Sequence, residues 1–257
     1  MDHRQAGLYW ERNARAWTFL ARQGWDVYRD AVNTPAFLKM LPDVTAKTGL
    51  DIGCGEGHNT RLLAARGAQM FAVDISPTFI RYAAEQSGAT RYTVASALEL
   101  PFPSGRFDFA TACMSLMDLP DHAAAFQEIH RVIRSRGFLQ FSITHPCFNP
   151  PYRRLLRTLE GCAYAVEVGR YFERVDGKVD SWLFSAAPQK AKAGLRPFET
   201  PIFHRTLSEW FNALLQVGFA LEQVSEPRAD DETARAVPAV QDTQVVAYFL
   251  HVRCRKP

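Results

Sequence analysis

The chain has 257 residues, 47% of them hydrophobic, and its 30 basic and 27 acidic side chains leave a net charge of +3. That length fits one α/β domain with an insertion, or two domains, with a real core, and the near balance of charge argues against a nucleic-acid groove or an anionic membrane as partner. Five cysteines without a C-x-x-C pair argue against a disulfide framework or a zinc site, no apolar run reaches membrane-helix length, and MDHRQAGLYWER lacks a leader's apolar core, so a cytoplasmic protein is expected.

In chain order, residues 2–42 carry Trp10, Trp17, Trp25 and Tyr28 at roughly helical spacing, with Pro35 and Pro42 punctuating the end. Strands are predicted at 48–52, 69–74, 91–95, 107–113 and 138–144. Helices are predicted at 57–66, 76–86 and 121–133. Gly67 supplies a helix stop and Ser76-Pro77 an N-cap followed by Pro at the first helical position. Strands alternating with helices every 20–30 residues read as a doubly wound, mostly parallel sheet. The rhythm breaks at His145. Residues 145–205 are expected to form an insertion over the sheet, with a hairpin turning at Asp176-Gly177. A helix at 207–217 and a strand pair at 219–224 and 245–252 close the chain. The expected parts are a helical cover (1–46), a sheet domain (47–144 and 206–257) and an insertion or lid (145–205).

The informative stretch is Leu50-Asp51-Ile52-Gly53-Cys54-Gly55-Glu56-Gly57-His58-Asn59-Thr60, a Gly-rich turn between strand and helix. Such a turn lets backbone approach a ligand, with helix N-terminal N–H groups facing it. Its G-x-G-x-G spacing departs from the G-x-G-x-x-G of dinucleotide binders, which disfavours a nicotinamide oxidoreductase. Asp74 stands 23 residues after Asp51 at the end of the second strand, where a carboxylate accepts ribose hydroxyls. The segment Ser96-Ala97-Leu98-Glu99-Leu100-Pro101-Phe102 follows the third strand.

At these residues the chain resembles the class I S-adenosylmethionine-dependent methyltransferases, and among them the broad group that acts on small molecules. The likeness covers about 48–144, and more loosely 206–252. It implies a Rossmann-like α/β fold of seven strands, mostly parallel with an antiparallel last strand. It also implies S-adenosylmethionine as cofactor, S-adenosylhomocysteine as product, no metal, and a small organic acceptor methylated on O, N or C. By position, Gly53, Cys54, Gly55, Gly57 and Asn59 would border the methionine part, and Asp51 would orient the loop toward the amino group. Asp74 would hold the ribose, with Ile75, Ser96, Ala97 and Leu98 around the adenine. Ser96 stands where the family often has an acidic residue, and it offers a weaker bond. Cys113, Met114 and Ser115 would lie near the sulfonium. A cofactor-binding protein without methyl transfer is the rival within the same fold.

Asn149-Pro150-Pro151-Tyr152 resembles the motif of enzymes that methylate adenine in nucleic acid or glutamine amides in proteins. There the motif directly follows strand four. Here it follows predicted strand five, which favours a Pro-rich exit loop over an amine-binding site. His145, at the end of strand five, and His204 are the candidates for a general base, each against a structural role. Tyr152, Tyr171, Trp182 and His204 are candidates for the acceptor wall. Asp118 is either an amine contact or a turn residue before Pro120.

Overall fold

The computed structural model describes residues 1–86, 88–89 and 91–257. Helix α1 (His3–Arg22) starts with a capping box in which Asp2 accepts from the Gln5 N–H and the Gln5 side chain bonds back to Asp2. A π-helical turn (Arg29–Asn33) runs into α2 (Thr34–Met40). Pro35 therefore opens α2 rather than ending a helix, because its missing N–H costs nothing in a first turn.

The main sheet is built from β1 (Thr48–Ile52), β2 (Gln69–Asp74), β3 (Arg91–Val94), β4 (Phe107–Cys113), β5 (Ile133–Thr144), β10 (Ala220–Ser225) and β11 (Phe249–Arg255). Its order is β10-β11-β5-β4-β1-β2-β3, and only β11 runs against its neighbours. This is the seven-stranded Rossmann-like sheet that the family resemblance implies, and it contains the doubly wound, mostly parallel part read from the alternating pattern. Helices α3 (His58–Ala65), α4 (Pro77–Ala84) and α5 (His122–Val132) connect the parallel strands. The strand order reverses between β1 and β4, so their carboxyl ends open onto a shared crevice.

The core sits against β4 and β5, where Phe107, Phe109, Phe126 and Phe141 are fully buried. Trp210, on α7 (Leu207–Val217), lies 6.0 Å from Phe126 and 6.1 Å from Phe141 between ring centroids. Gly49 lets β1 approach β4: a Cβ there would lie 2.2 Å from Cζ of Phe109, which is itself stacked on Phe138.

The insertion holds two antiparallel ribbons, β6 (Tyr152–Arg157) with β7 (Ala163–Gly169), and β8 (Val175–Trp182) with β9 (Phe198–His204). A single turn, α6 (Gln189–Lys192), lies between β8 and β9. The hairpin expected at Asp176-Gly177 is not formed. Both residues lie inside β8, at a bulge where the register shifts between Asp176 and Lys178, and the partner strand comes from farther along the chain. Gly177 has φ +90°, which serves a bulge as well as a turn. The last strand also begins later than expected, at Phe249 rather than Val245. After α8 (Asp231–Ala236), residues Pro238–Gln244 coil into 3-10 turns, and the N–H groups of Val245 and Val246 point back to the Asp242 carbonyl. β5 begins at Ile133, straight after α5, instead of at Phe138.

Helix α1 joins the sheet side to the insertion. Glu11 accepts from Ser76 Oγ and from the Thr78 N–H and hydroxyl at the start of α4. Two residues on, the Asn13 amide pairs with both backbone groups of Glu199 on β9. Trp17 packs its ring against Phe198 (4.8 Å), Phe184 (4.9 Å) and Trp182 (5.5 Å), pairs worth about 0.5–1.5 kcal/mol each. Among the described residues no helix is long and apolar enough to cross a membrane.

The Gly49 contact is a sharp test of the β1–β4 packing. Gly49→Ala should lose about 1–3 kcal/mol of stability through overpacking, read as a lower urea midpoint with unchanged slope. An unaltered midpoint would refute the tight approach.

Candidate functional site

The Gly-rich turn is held from below by β2. Gly53 and Cys54 donate their N–H groups to the Val73 carbonyl at 2.8 and 3.0 Å, and the Gly55 N–H reaches Asp74 Oδ2 at 2.9 Å. Gly53 and Gly55 both have positive φ, 68° and 54°. A Cβ on Gly53 would meet Ser115 Cβ at 2.3 Å, whereas nothing lies within 4 Å of one on Gly55. Backbone at Gly55 is thus open to a ligand. Gly57 is different: its missing Cβ faces Arg61, Ala83 and Tyr92 on the helix side, so it serves the packing of α3 and does not border the cavity.

Two buried carboxylates set the electrostatics of this end. Asp51 accepts from Thr60 Oγ1 (2.6 Å) and from Thr111 Oγ1 (3.1 Å), its register partner on β4. Asp74 accepts from the Gly55 N–H and from the Ser76 N–H at 2.9 Å. Burial pushes both up to about 6, against the hydrogen bonds that favour their ionised forms. Burial thus makes their ionised forms costly, a cost that a cationic ligand would relieve.

A cavity of about 860 Å³ starts at this turn and continues beneath α1 to the insertion. Asp51, Gly53, Cys54, Gly55, Asn59, Asp74, Ile75, Ser96, Ala97, Cys113 and Met114 all line it, and Leu98 does not. Ser96 spends its hydroxyl on the Leu98 N–H at 3.2 Å. Burial lifts the Cys113 thiol to about 12, so it is not a nucleophile. Met114 holds a left-handed backbone (φ 56°), with its N–H bound to the Ser142 carbonyl at 2.9 Å. That turns the chain sharply at the mouth of β4.

On the acceptor side the structure separates the candidates. Trp182 and His204 line the cavity. The His204 Nε2 lies 2.7 Å from the Tyr171 carbonyl, which fixes the proton on Nε2 and leaves Nδ1 as the acceptor nitrogen of the neutral ring. His145 lies behind the wall, with Nε2 at 2.8 Å from Glu226 and Nδ1 accepting the Cys147 N–H, so both ring nitrogens are engaged. Tyr171 is also turned away, its hydroxyl accepting from the Leu207 N–H at 2.8 Å. Tyr152 is exposed on the β6–β7 ribbon, with its hydroxyl near Glu167. Asn149, Pro150 and Pro151 do reach the cavity. They follow β5, and the tyrosine that would complete an amine cage faces outward.

Sequence reasoning missed a cluster on the far wall. Asp242 accepts from Tyr28 Oη at 2.7 Å and from Arg153 at 3.2 Å, and the Arg153 guanidinium lies over Tyr248. All four residues line the cavity. Tyr28 carried a helical-spacing signal. Asp242, in a polar connection 89 residues from Arg153, carried none.

Comparison with known proteins agrees with this geometry. A family model described as a methyltransferase domain matches residues 50–141. The chain is 34% identical over 93 residues to a malonyl-[acyl-carrier protein] O-methyltransferase of Pseudescherichia vulneris, a match spanning 36% of this chain and only 37% of that protein. It is 25% identical over 206 residues to the enzyme of the same name from Salmonella typhimurium, covering 78% of this chain and 75% of the relative. A solved S-adenosylmethionine-dependent methyltransferase from Mesorhizobium loti superposes with a TM-score of 0.69 at 27% identity, covering 86% of this chain and 96% of that one. The matched stretch spans the β1 turn, the Asp74 strand end and the β4–β5 edge described above, and there the chain carries a methyltransferase domain similar to that of S-adenosylmethionine-dependent methyltransferases.

Proposed function

We propose that this chain transfers a methyl group from S-adenosylmethionine to an O, N or C atom of a small organic molecule. The observation that carries the reading is the single cavity running from the Gly53–Gly55 turn to Trp182 and His204. At about 860 Å³ it lies near the upper end of the ~300–1,000 Å³ usual for small-molecule sites, which suits a cofactor with an acceptor beside it.

The residues present fit the cofactor. Asp74 has given one lone pair to each of two N–H groups. A carboxylate offers about four such positions, which leaves two for ribose hydroxyls. The open backbone at Gly55 suits the methionine part, and Ile75 and Ala97 suit an adenine face. When bound, S-adenosylmethionine supplies a methyl on a sulfonium sulfur that needs no further activation. The chain's own task is to hold a nucleophile in line at roughly 3–3.5 Å and to keep water out. For an acceptor that sheds a proton, His204 Nδ1 is the lone pair on the acceptor-side wall suited to receive it, oriented by the Tyr171 carbonyl behind it.

The insertion does not favour a polyanionic acceptor. Arg154, Arg170 and Arg174 each pair with a nearby carboxylate, Glu167, Glu173 and Asp176. Its excess of basic residues is thus partly neutralised in place.

Calorimetric titration with S-adenosylhomocysteine, beside NADH, tests the cofactor: micromolar binding of the first alone is expected, and binding of neither would remove the reading. Asp74→Ala should weaken S-adenosylhomocysteine by about 1.5–3 kcal/mol, the worth of hydrogen bonds to a charged group. Unchanged affinity in a folded variant would refute the ribose assignment. The same carboxylate sets a pH dependence. Its ionised form is the hydrogen-bond acceptor and its value is about 6, so affinity should hold from pH 8 to 7 and fall as the pH drops through 6. A flat profile from pH 8 to 5 would show that Asp74 is not a contact.

A further inference from the structure

Seven carboxylates line the cavity, and six are already held. Asp51 takes two threonine hydroxyls and Asp74 two N–H groups. Glu56 is bonded to Arg22 and Arg61, and Asp242 to Tyr28 and Arg153. Asp26 and Asp180 each accept from a backbone N–H nearby. Asp118 is the seventh. Among the described residues its carboxyl group has neither a hydrogen-bond partner nor a cation within ion-pair distance. The turn role open to it before Pro120 is not how the structure uses it: the N–H of Asp118 closes the 3-10 turn to Ser115, and the side chain is left out.

Its place is at the acceptor. Residues Leu116–Asp118 leave the mouth of β4 and pack against β9, the strand that ends at His204. Asp118, Thr200, His204 and Trp182 all line the same cavity. Burial, and then the charge of Asp74, raise Asp118 well above the usual carboxylate range. An unpartnered acid in such a place is costly to keep charged and gains from a ligand that brings a donor or a cation.

The rest of the cavity narrows the ligand class. Trp10, Trp17, Tyr28, Trp182, Phe184 and Tyr248 supply aromatic faces, which suit a flat apolar body and attract cations. The arginines on the wall do not offer a free anion site, because Arg29 is matched by Asp30, Arg153 by Asp242 and Arg205 by Asp176. We propose that Asp118 is the acceptor-recognition carboxylate of this site and that the acceptor it selects is an aryl or arylalkyl amine. The neutral amine donates an N–H to Asp118. Its nitrogen lone pair forms the new bond to the methyl as the sulfur–methyl bond breaks to leave S-adenosylhomocysteine, and the proton shed by the methylated nitrogen passes to the carboxylate. The proposal rests on the methyltransferase reading given above.

The test uses the full chain and Asp118→Asn, with labelled S-adenosylmethionine and a panel of arylalkyl primary and secondary amines beside matched carboxylic acids and phenols. The wild type is expected to label amines. In Asp118→Asn the KM for the best amine should rise at least tenfold, while affinity for S-adenosylhomocysteine stays within twofold. The variant should melt no lower than wild type at pH 8, because no native bond is lost. Asp118→Ser, which cannot mimic a carboxylate's shape, should show the same rise in KM. Labelled acids or phenols with no labelled amine would overturn the proposal, as would an unchanged amine KM, or a lower melting temperature that reveals a structural bond. If S-adenosylhomocysteine binds but no amine is labelled, the amine assignment falls and the methyltransferase reading stands. If S-adenosylhomocysteine does not bind the wild type, the methyltransferase reading itself falls.

Discussion

The site depends on the hold that the end of β2 keeps on the turn after β1. The Val73 carbonyl takes two N–H groups of that turn and the Asp74 carboxylate takes a third. Together they bend the chain through two positive-φ glycines into a shape that no side chain at Gly53 would permit. The neighbouring strands then follow. Ser115, at the mouth of β4, fills the space under Gly53 and donates its hydroxyl to the Ile52 carbonyl at 2.7 Å. The cavity exists because the crossover between β1 and β4 leaves their carboxyl ends without a covering connection.

Burial of charge is the recurring cost of this arrangement. Asp51 and Asp74 are nearly inaccessible, at 1% and 8% exposure, and burial raises both to about 6. Each keeps two hydrogen bonds, which limits the penalty. A site so supplied with carboxylates is poorly matched to an anion and well matched to a cofactor that carries a sulfonium and an ammonium. In a fold of marginal stability, the hydrogen bonds that each acid accepts are what keep such burial tolerable.

Much of this was legible in the residues. The alternation of strand and helix between Thr48 and Thr144 follows from local periodicity and turn chemistry, and with it the mostly parallel, doubly wound sheet. Asp51 and Asp74 announce themselves because an acid at a buried strand end needs a reason. The insertion was less legible. Val175–Trp182 reads as half of a local hairpin because Asp176-Gly177 is a strong turn signal, yet the same φ > 0 serves a bulge, and the true partner, Phe198–His204, lies beyond an intervening turn. His145 and His204 are not separable from sequence, one standing before Pro146 at the start of the insertion and the other before Arg205 at its end. Only tertiary partners distinguish them: Glu226 and the Cys147 N–H occupy one ring, and a single carbonyl orients the other. The Tyr28–Asp242–Arg153 cluster joins three distant segments and has no short-range signature.

Helix α1 carries a further consequence. Within one turn, Glu11 is tied to the start of α4 and Asn13 to the backbone of β9. The first bond lies beside the Asp74–Ile75 end of the cavity and the second beside the Thr200–His204 end. A stiff helix bonded at both places cannot lift from one and stay seated on the other without breaking one set. The two ends of the cavity are therefore coupled through one helix, so that a displacement of α1 at either end is felt at the other.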